Sequence, residues 1–136
     1  YSREIREALP MVDILIGSEE FYRDMFPGGG AFADHVRSIL RLGPSTVIFT
    51  FGSRGCRGYA DGAFFEVPAF QKNIRVVDTV GAGDTFDAGF LFGYLNDLGI
   101  QRSGEIATFC SAGNVGRLGG VDGQPTLREV VERFEL

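Results

Sequence analysis

The sequence predicts an α/β fold in which helices pack against a sheet that contains parallel strands. Short apolar and β-branched runs alternate with helical patterns over the first 50 residues, which is typical of parallel strands joined by crossover helices. Asp61-Gly62 stands between two strand-like runs and indicates a β-hairpin, so antiparallel strands are expected as well. From Gly83 to Leu98 the pattern is helical and apolar on most faces, and such a helix is expected to be buried centrally.

The predicted elements follow from these patterns in chain order. In the first half they are a helix at 2–9, a strand at 12–16, helices at 18–25 and 33–42, a strand at 46–51 and hairpin strands at 57–60 and 63–67. Ser18 is a good N-cap, and Gly43-Pro44 is a good helix stop. In the second half they are a strand at 75–77, helices at 83–98 and 103–115, a glycine-rich turn at 116–123 and a helix from Pro125-Thr126 to Phe134.

Composition limits the classes of function. The chain has 136 residues, 44% hydrophobic and 23% charged, as in an ordinary soluble domain, and no apolar run is long enough for a membrane span. The formal net charge of −5 argues against nucleic acid or an anionic membrane as the main partner. Any phosphate must therefore be attracted locally, by backbone amides, cations or a metal.

Two cysteines, Cys56 and Cys110, are too few for a disulfide scaffold and stand in apolar stretches. We expect both to be buried thiols, which fits a cytoplasmic protein. The chain does not begin with Met and starts within a helical pattern, so a fragment or a processed piece is expected.

The run Asp78-Thr-Val-Gly-Ala-Gly-Asp84 joins a predicted strand to the long helix. Amides at a helix N-terminus have no intrahelical acceptor and carry the positive end of the helix dipole. Small residues allow an anion to approach them, and Asp84 in the first turn would face that anion. A carboxylate there could accept the proton of an attacking hydroxyl. Taken alone, the run is equally compatible with a well-capped helix start.

A second glycine-rich run, Thr50-Phe-Gly-Ser-Arg-Gly55, follows the strand at 46–51. Its simplest interpretation is a turn that leads into the hairpin. Two loops of this kind after parallel strands, however, indicate a nucleotide that lies across the strand ends.

These two motifs, with Arg117-Leu-Gly-Gly120 beyond them, resemble the ribokinase-like (PfkB) family of carbohydrate kinases. The resemblance covers essentially the whole chain. It implies a three-layer αβα ribokinase-like fold with mainly parallel strands plus a β-hairpin. Residues 1–136 would be the C-terminal ATP-binding and catalytic part, without the N-terminal substrate and lid part.

The resemblance also implies residue roles. Asp84 would be the catalytic base, and Gly81, Ala82 and Gly83 the anion hole for the transferred phosphoryl group. The ATP site would be formed by Thr50, Gly52, Ser53, Gly55 and Gly83. Mg²⁺ would accompany ATP, and a monovalent cation such as K⁺ would bind Asp78 and the carbonyls of Val80 and Gly119. For Asp78 alone, a carboxylate that fixes its own turn is an alternative.

The sequence departs from the family pattern after the first strand, where Asn-x-x-Glu usually organises Mg²⁺ and phosphate. Ser18 and Phe21 stand at these positions, so Glu19 or Glu20 would have to substitute, and Glu20 is the predicted Mg²⁺-related residue. Helix-surface glutamates are more often solvated than ligating. The family often has an asparagine near the adenine in the penultimate helix. In this sequence Thr108 or Ser111 falls close to that position.

His35 is expected on a polar helix surface, and Arg54 is expected either to touch a phosphate or to lie exposed in its turn.

The expected function is ATP-dependent phosphorylation of a hydroxymethyl group on a sugar or sugar acid. A nucleoside kinase of the same superfamily and a nucleotide-binding, non-catalytic regulatory relative are the alternatives. The expected partners are ATP, a small sugar and a second copy of the chain in a homodimer, with no nucleic acid or membrane.

Overall fold

The computed structural model describes residues 3–71 and 74–136, which fall into two compact units, 1–66 and 67–136. Ser2, the first residue of the predicted N-terminal helix, lies outside the described residues. The predicted hairpin, the capped second helix and the last three helices are all present, with ends shifted by a few residues.

Among its described residues, the first unit contains three helices and the strands of one sheet, the last of which ends on Val67, the first residue of the second unit. Its elements are α1 (Arg3–Ala8), a 3₁₀ turn (Leu9–Met11), β1 (Ile14–Ser18), α2 (Glu19–Met25), α3 (Phe32–Leu40), β2 (Thr46–Thr50), a 3₁₀ turn (Gly52–Arg54), β3 (Cys56–Ala60) and β4 (Ala63–Val67).

The sheet is mixed and has the order β1-β2-β3-β4. β1 and β2 are parallel with Ser18 opposite Thr50, whereas β2 and β3 are antiparallel with Thr50 opposite Cys56. Asp61 and Gly62 both have positive φ, 49° and 82°, as a two-residue type I′ hairpin turn requires. The expected hairpin is therefore confirmed, and β1–β2 is the parallel pair of this sheet.

The core of the first unit lies against β2, the most deeply buried strand. Val47 and Phe49 are completely buried and pack with Val36 and Ile39 of α3, which are also fully buried. Gly58 of β3 lies so close to β2 that an added Cβ would be 2.1 Å from the Val47 carbonyl oxygen. This packing holds the ends of β1 and β2 side by side.

The second unit is built on three helices, α4 (Ala82–Leu95), α5 (Ile100–Val115) and α6 (Leu127–Phe134). α4 and α5 meet through small residues: a Cβ added at Gly89 would lie 2.9 Å from the Ala107 Cα, and one at Gly93 2.7 Å from the Ser103 Cα. Close backbone approach thus sets the position of α4 and of the loop before it.

Two local predictions for this unit are wrong. Residues 75–77 form no strand, because the Val77 N–H donates to the Val115 carbonyl at the end of α5 (2.8 Å) rather than to a neighbouring strand. α4 is buried on one side only: Phe90 is fully buried, whereas Leu91 and Leu95 are 37% and 74% exposed. Apolar composition therefore overstated the burial of this helix.

Both cysteines are described and are buried thiols, as expected. No helix among the described residues has the length and apolar character needed to cross a membrane.

Candidate active site

The predicted anion-binding turn lies at the N-terminus of α4. Gly81 is the N-cap, with φ 72°, and its carbonyl accepts hydrogen bonds from the Thr85 N–H (2.9 Å) and the Thr85 hydroxyl (2.8 Å). A Cβ at Gly81 would lie 2.2 Å from the Gly120 carbonyl oxygen. Only glycine satisfies both this positive φ and this close approach.

The amides of this turn are not equivalent. The Ala82 N–H already donates to the Thr79 carbonyl at 3.2 Å. Within the described part of the chain, the N–H groups of Gly81, Gly83 and Asp84 donate no backbone hydrogen bond. A Cβ added at Gly83 would meet no atom within 4 Å, so the space where a side chain would stand is open. Gly83 and Asp84 are therefore better placed than Ala82 to hold an anion.

Asp84 is exposed in the first turn of α4, where a carboxylate is favoured by the helix dipole. One turn later Asp87 is half-buried. Burial, and next the negative charge of Asp84, raise the pKa of Asp87 to about 6. Two neighbouring carboxylates thus line this end of the helix, one solvated and one held partly out of water. Asp84 was predicted from the sequence as a site residue and Asp87 was not, although their i, i+3 spacing places both on the same side of a helix.

Asp78 ties the turn to the glycine-rich turn at 116–123. One carboxylate oxygen accepts the Val80 N–H and the other accepts the Gly119 N–H, both at 3.0 Å. These backbone hydrogen bonds, that of Val80 foremost, lower the pKa of Asp78. The carboxylate therefore fixes its own turn and a second turn 41 residues further along the chain.

Asn114, near the end of α5, was missed by sequence reasoning. Its side chain is completely buried, and its Nδ2 donates to the Val80 carbonyl at 2.7 Å. Its Oδ1 is buried and has no hydrogen-bond partner in the structure. The available signal was an amide side chain within the run of small, apolar and hydroxyl-bearing residues that ends α5.

The predicted monovalent-cation ligands already make other contacts. Gly119 faces Asp78 with its N–H rather than its carbonyl, and the Val80 carbonyl accepts from Asn114. As arranged, N–H groups already bond to the Val80 carbonyl and to both Asp78 oxygens.

In the first unit, Thr50 lies at the end of β2 and its hydroxyl donates to the Gly17 carbonyl (3.4 Å). The Phe51 N–H donates to the Gly55 carbonyl (2.7 Å), which closes the turn between them. Gly52 has φ 55° and open space where a Cβ would stand, while Gly55 has φ 88°. Ser53 is exposed between them. The predicted nucleotide loop is thus a tight turn with an open glycine.

The end of β1 lies beside this loop, and the residues that depart from the family pattern, Ser18 and Phe21, stand at and just after it. Ser18 caps α2, its Oγ accepting the Phe21 N–H at 3.1 Å, and the Phe21 ring packs beneath Gly17 in the core. Glu19 forms ion pairs with Arg23 and Arg54, and the hydrogen bond from Arg54 is the main cause of its lowered pKa. Glu20, the predicted Mg²⁺-related residue, is exposed.

His35 does not lie on a polar surface as expected. Its ring stacks on Phe26 with centroids 4.0 Å apart, Nδ1 is 2.7 Å from the Tyr22 hydroxyl, and Nε2 is 3.2 Å from the Gly29 carbonyl. It is a structural residue of an aromatic cluster. Near the predicted adenine position, Thr108 is buried and donates to the Glu105 carbonyl (3.0 Å), and Ser111 is half-buried.

Comparison with known proteins identifies this architecture as a ribokinase-like α/β fold. A nucleoside kinase from Methanocaldococcus jannaschii, described as an archaeal member of the ribokinase family, superposes with a TM-score of 0.80 at 28% identity and covers 99% of this chain and 44% of its own. An Escherichia coli ribokinase II candidate, solved with ATP and Mg²⁺, gives a TM-score of 0.83 at 26% identity, covering 96% and 41%.

The sequence comparisons agree with the fold. The model of the pfkB family carbohydrate kinases matches residues 1–127. A ribokinase from Lactococcus lactis is 32% identical over 129 residues, which are 95% of this chain and 41% of the relative. The chain belongs to the pfkB family of carbohydrate kinases. It spans about two-fifths of the length of the curated relatives it matches.

Proposed function

We propose that this chain is the ATP-binding and catalytic part of a kinase that phosphorylates a hydroxymethyl group of a sugar or sugar acid. The observation that carries the proposal is the N-terminus of α4. There the amides of Gly83 and Asp84 are without backbone acceptors, open space adjoins Gly83, and the exposed Asp84 carboxylate stands in the same turn. An anion cradle beside a carboxylate is the pairing that phosphoryl transfer to a hydroxyl requires.

In this proposal Asp84 accepts the proton of the attacking hydroxyl. The amides of Gly81, Gly83 and Asp84, together with the positive end of the helix dipole, hold the charge of the transferred phosphoryl oxygens. Ala82 contributes through its small side chain, since its amide is bonded to Thr79. Asp78 keeps the turn in place through its two backbone hydrogen bonds.

ATP would supply the phosphoryl group, and Mg²⁺ bound with it would partly neutralise the negative charge of the phosphates. Thr50, Gly52, Ser53 and Gly55 are proposed to hold the nucleotide, because Gly52 offers an open backbone and Thr50 ends a parallel strand. Mg²⁺ is commonly held by one or two carboxylates plus substrate phosphates and waters. Glu20 is the proposed carboxylate, since Glu19 is engaged by two arginines.

A nucleoside kinase is the second candidate acceptor class. It is supported by the structural similarity to the nucleoside kinase of M. jannaschii, which extends over 99% of this chain. Both candidates transfer to a hydroxymethyl group of a sugar ring, so the same residues would serve either reaction.

The test is transfer from ATP in the presence of Mg²⁺ to a panel of sugars, sugar acids and nucleosides, followed by detection of the phosphorylated product. It compares the wild type with Asp84→Asn, using both this chain and any longer protein that contains it. We expect Asp84→Asn to lower kcat by about 10²-fold or more, with nucleotide affinity retained. Asp97→Asn is the matched control, because Asp97 is an exposed aspartate beyond the other end of α4, about 20 Å away.

Three outcomes discriminate the candidates. Unchanged turnover in Asp84→Asn would show that Asp84 is not the catalytic base. Nucleotide binding without transfer to any acceptor would favour the regulatory relative. A preference for nucleosides over free sugars would select the second acceptor class.

A further inference from the structure

The turn that forms the proposed anion hole is held from below by a buried side chain. We infer that the Asn114 amide positions this turn by a direct hydrogen bond, in the place where the family resemblance predicts a monovalent cation, so that the site works without K⁺. The inference rests on the proposed function for its catalytic meaning. It rests for its geometry on the contacts among residues 78–83 and 114–120.

The contact between Asn114 and Val80 requires an N–H donor. At 2.7 Å from the Val80 carbonyl, the amide must present Nδ2, since two oxygen acceptors at that separation would repel each other. The distance also leaves no room for an ion between the two groups. The N–H group therefore supplies to this carbonyl the partial positive charge that a cation would otherwise provide.

This hydrogen bond has a defined consequence for the anion hole. The Val80 carbonyl and the Gly81 N–H belong to one planar trans peptide group and point in opposite directions. Fixing the carbonyl on Asn114 therefore aims the Gly81 N–H away from α5. The preceding peptide is fixed as well, because the Val80 N–H donates to Asp78. Two successive peptide planes before α4 are thus oriented by side chains.

The unsatisfied half of the amide supports a role for its N–H. Asn114 is fully buried, yet its Oδ1 has no partner in the structure. A buried acceptor without a hydrogen bond is destabilising, so packing alone would favour an apolar side chain at this position. The donor to Val80 is the contact that explains an asparagine there.

The surrounding groups complete an internal network. Asp78 accepts two N–H groups, and Gly119 presents its N–H to this carboxylate. The Gly81 and Gly120 backbones are in direct contact, as the 2.2 Å approach of a Cβ at Gly81 shows. Positive partial charges from three N–H groups thus surround the oxygens of Asp78 and Val80 that were predicted to bind the ion.

The experiment compares KCl with tetramethylammonium chloride at about 0.1 M, a salt pair that keeps the ionic strength constant. Thermal unfolding and ATP binding are measured for the wild-type chain, Asn114→Ala and Asn114→Asp. Ser103→Ala is the matched control: Ser103 is also fully buried in α5, and its hydroxyl donates to the Gly99 carbonyl at the opposite end of that helix.

We expect the wild type to unfold at the same temperature and to bind ATP within about twofold in both salts. Asn114→Ala should unfold several degrees lower and bind ATP about tenfold more weakly in both salts, because the Gly81 amide is no longer held. In Asn114→Asp a carboxylate faces the Val80 carbonyl. K⁺ should therefore raise the unfolding temperature of this variant by several degrees and leave that of Ser103→Ala unchanged.

A clear rise of the wild-type unfolding temperature in KCl, or unchanged ATP binding in Asn114→Ala, would overturn the inference. Asn114→Ala keeps the test decisive if Asn114→Asp does not fold. The unfolding data need no kinase activity. Absence of ATP binding in the wild type and in every variant would therefore refute the proposed function. The cation-independent network would then be judged by the unfolding temperatures in the two salts.

Discussion

Gly81 and Gly83 stand two residues apart in the same turn but have different requirements. Gly81 combines a positive φ with contact against the Gly120 carbonyl, whereas the position of a Cβ at Gly83 is open. The first glycine is thus required by the protein's own backbone. The second leaves open space, which the proposed anion cradle requires.

The two glycines can be separated experimentally by alanine substitution. Gly81→Ala should destabilise the fold by about 2 kcal/mol or more, through left-handed strain and the clash with Gly120. Gly83→Ala should leave stability unchanged or raise it by up to about 1 kcal/mol, since alanine favours the helix. It should nevertheless weaken ATP binding about tenfold by filling the open space. Urea unfolding and calorimetric ATP titration measure the two effects, and tight ATP binding by Gly83→Ala would contradict the proposed cradle.

Asp87 makes stability depend on pH. Burial raises the pKa of Asp87 to about 6, above the value of about 3.9 in an unfolded chain. The native state therefore holds the proton more tightly, and the contribution of Asp87 to stability falls as pH rises between these two values. Above about pH 6 the penalty for ionised Asp87 is fully present.

Asp87→Asn should remove that penalty. We expect stabilisation of about 1–2 kcal/mol at about pH 8, after allowance for solvent screening, and little effect at about pH 4. Thermal unfolding across this pH range measures it, with Asp97→Asn as an exposed control. Equal stabilisation at both ends of the range would show that the effect is not due to ionisation.

At the scale of elements, α6 begins with a complete capping box. The Thr126 hydroxyl accepts the Glu129 N–H (3.3 Å), and the Glu129 carboxylate accepts the Thr126 N–H (2.7 Å). Val130 and Phe134 on the same helix are buried, so loss of the cap should be transmitted to the packing of this unit.

Thr126→Ala should lower the free energy of unfolding by about 1 kcal/mol, since it leaves an N-terminal amide of α6 without its acceptor. Glu129→Gln is the matched variant, because glutamine can still accept from the Thr126 N–H and should cost less. Chemical denaturation measures both. A larger loss for Glu129→Gln than for Thr126→Ala would contradict the capping-box explanation.

Elements that depend on nearby residues were predictable from the sequence. The Asp61-Gly62 hairpin and the Ser18 cap are correct because positive φ and an N-cap hydrogen bond involve only adjacent residues. The strand at 75–77 was wrong because a strand needs a hydrogen-bonding neighbour, and Val77 bonds to the end of α5 instead. β-Branched residues favour extended backbone without supplying that neighbour.

At the scale of the whole molecule, each compact unit contains one buried cysteine, Cys56 in the first and Cys110 in the second. Burial raises the pKa of the Cys110 thiol to about 11. Only the thiolate reacts rapidly with thiol reagents, so the native second unit should protect this side chain.

We therefore expect both cysteines to react with a thiol reagent at least about 10²-fold more slowly in the native chain than in urea. Peptide mapping of the labelled protein assigns the rate to each residue. Rapid labelling of either cysteine under native conditions would show that its unit opens locally or is not packed as described.

Local sequence patterns were sufficient to predict the family of the chain and the residue types of its loops. Glycines and a following aspartate at a helix start are local properties, so Asp84 and the turn before it could be proposed as a site without coordinates. The fold of the chain establishes which amides stay open, that Asp78 accepts two N–H groups, and that His35 packs against the rings of Phe26 and Tyr22. It also placed Asn114 beneath Val80, 34 residues earlier in the chain. Such partners are far apart in sequence, and only folding sets which donor meets which acceptor.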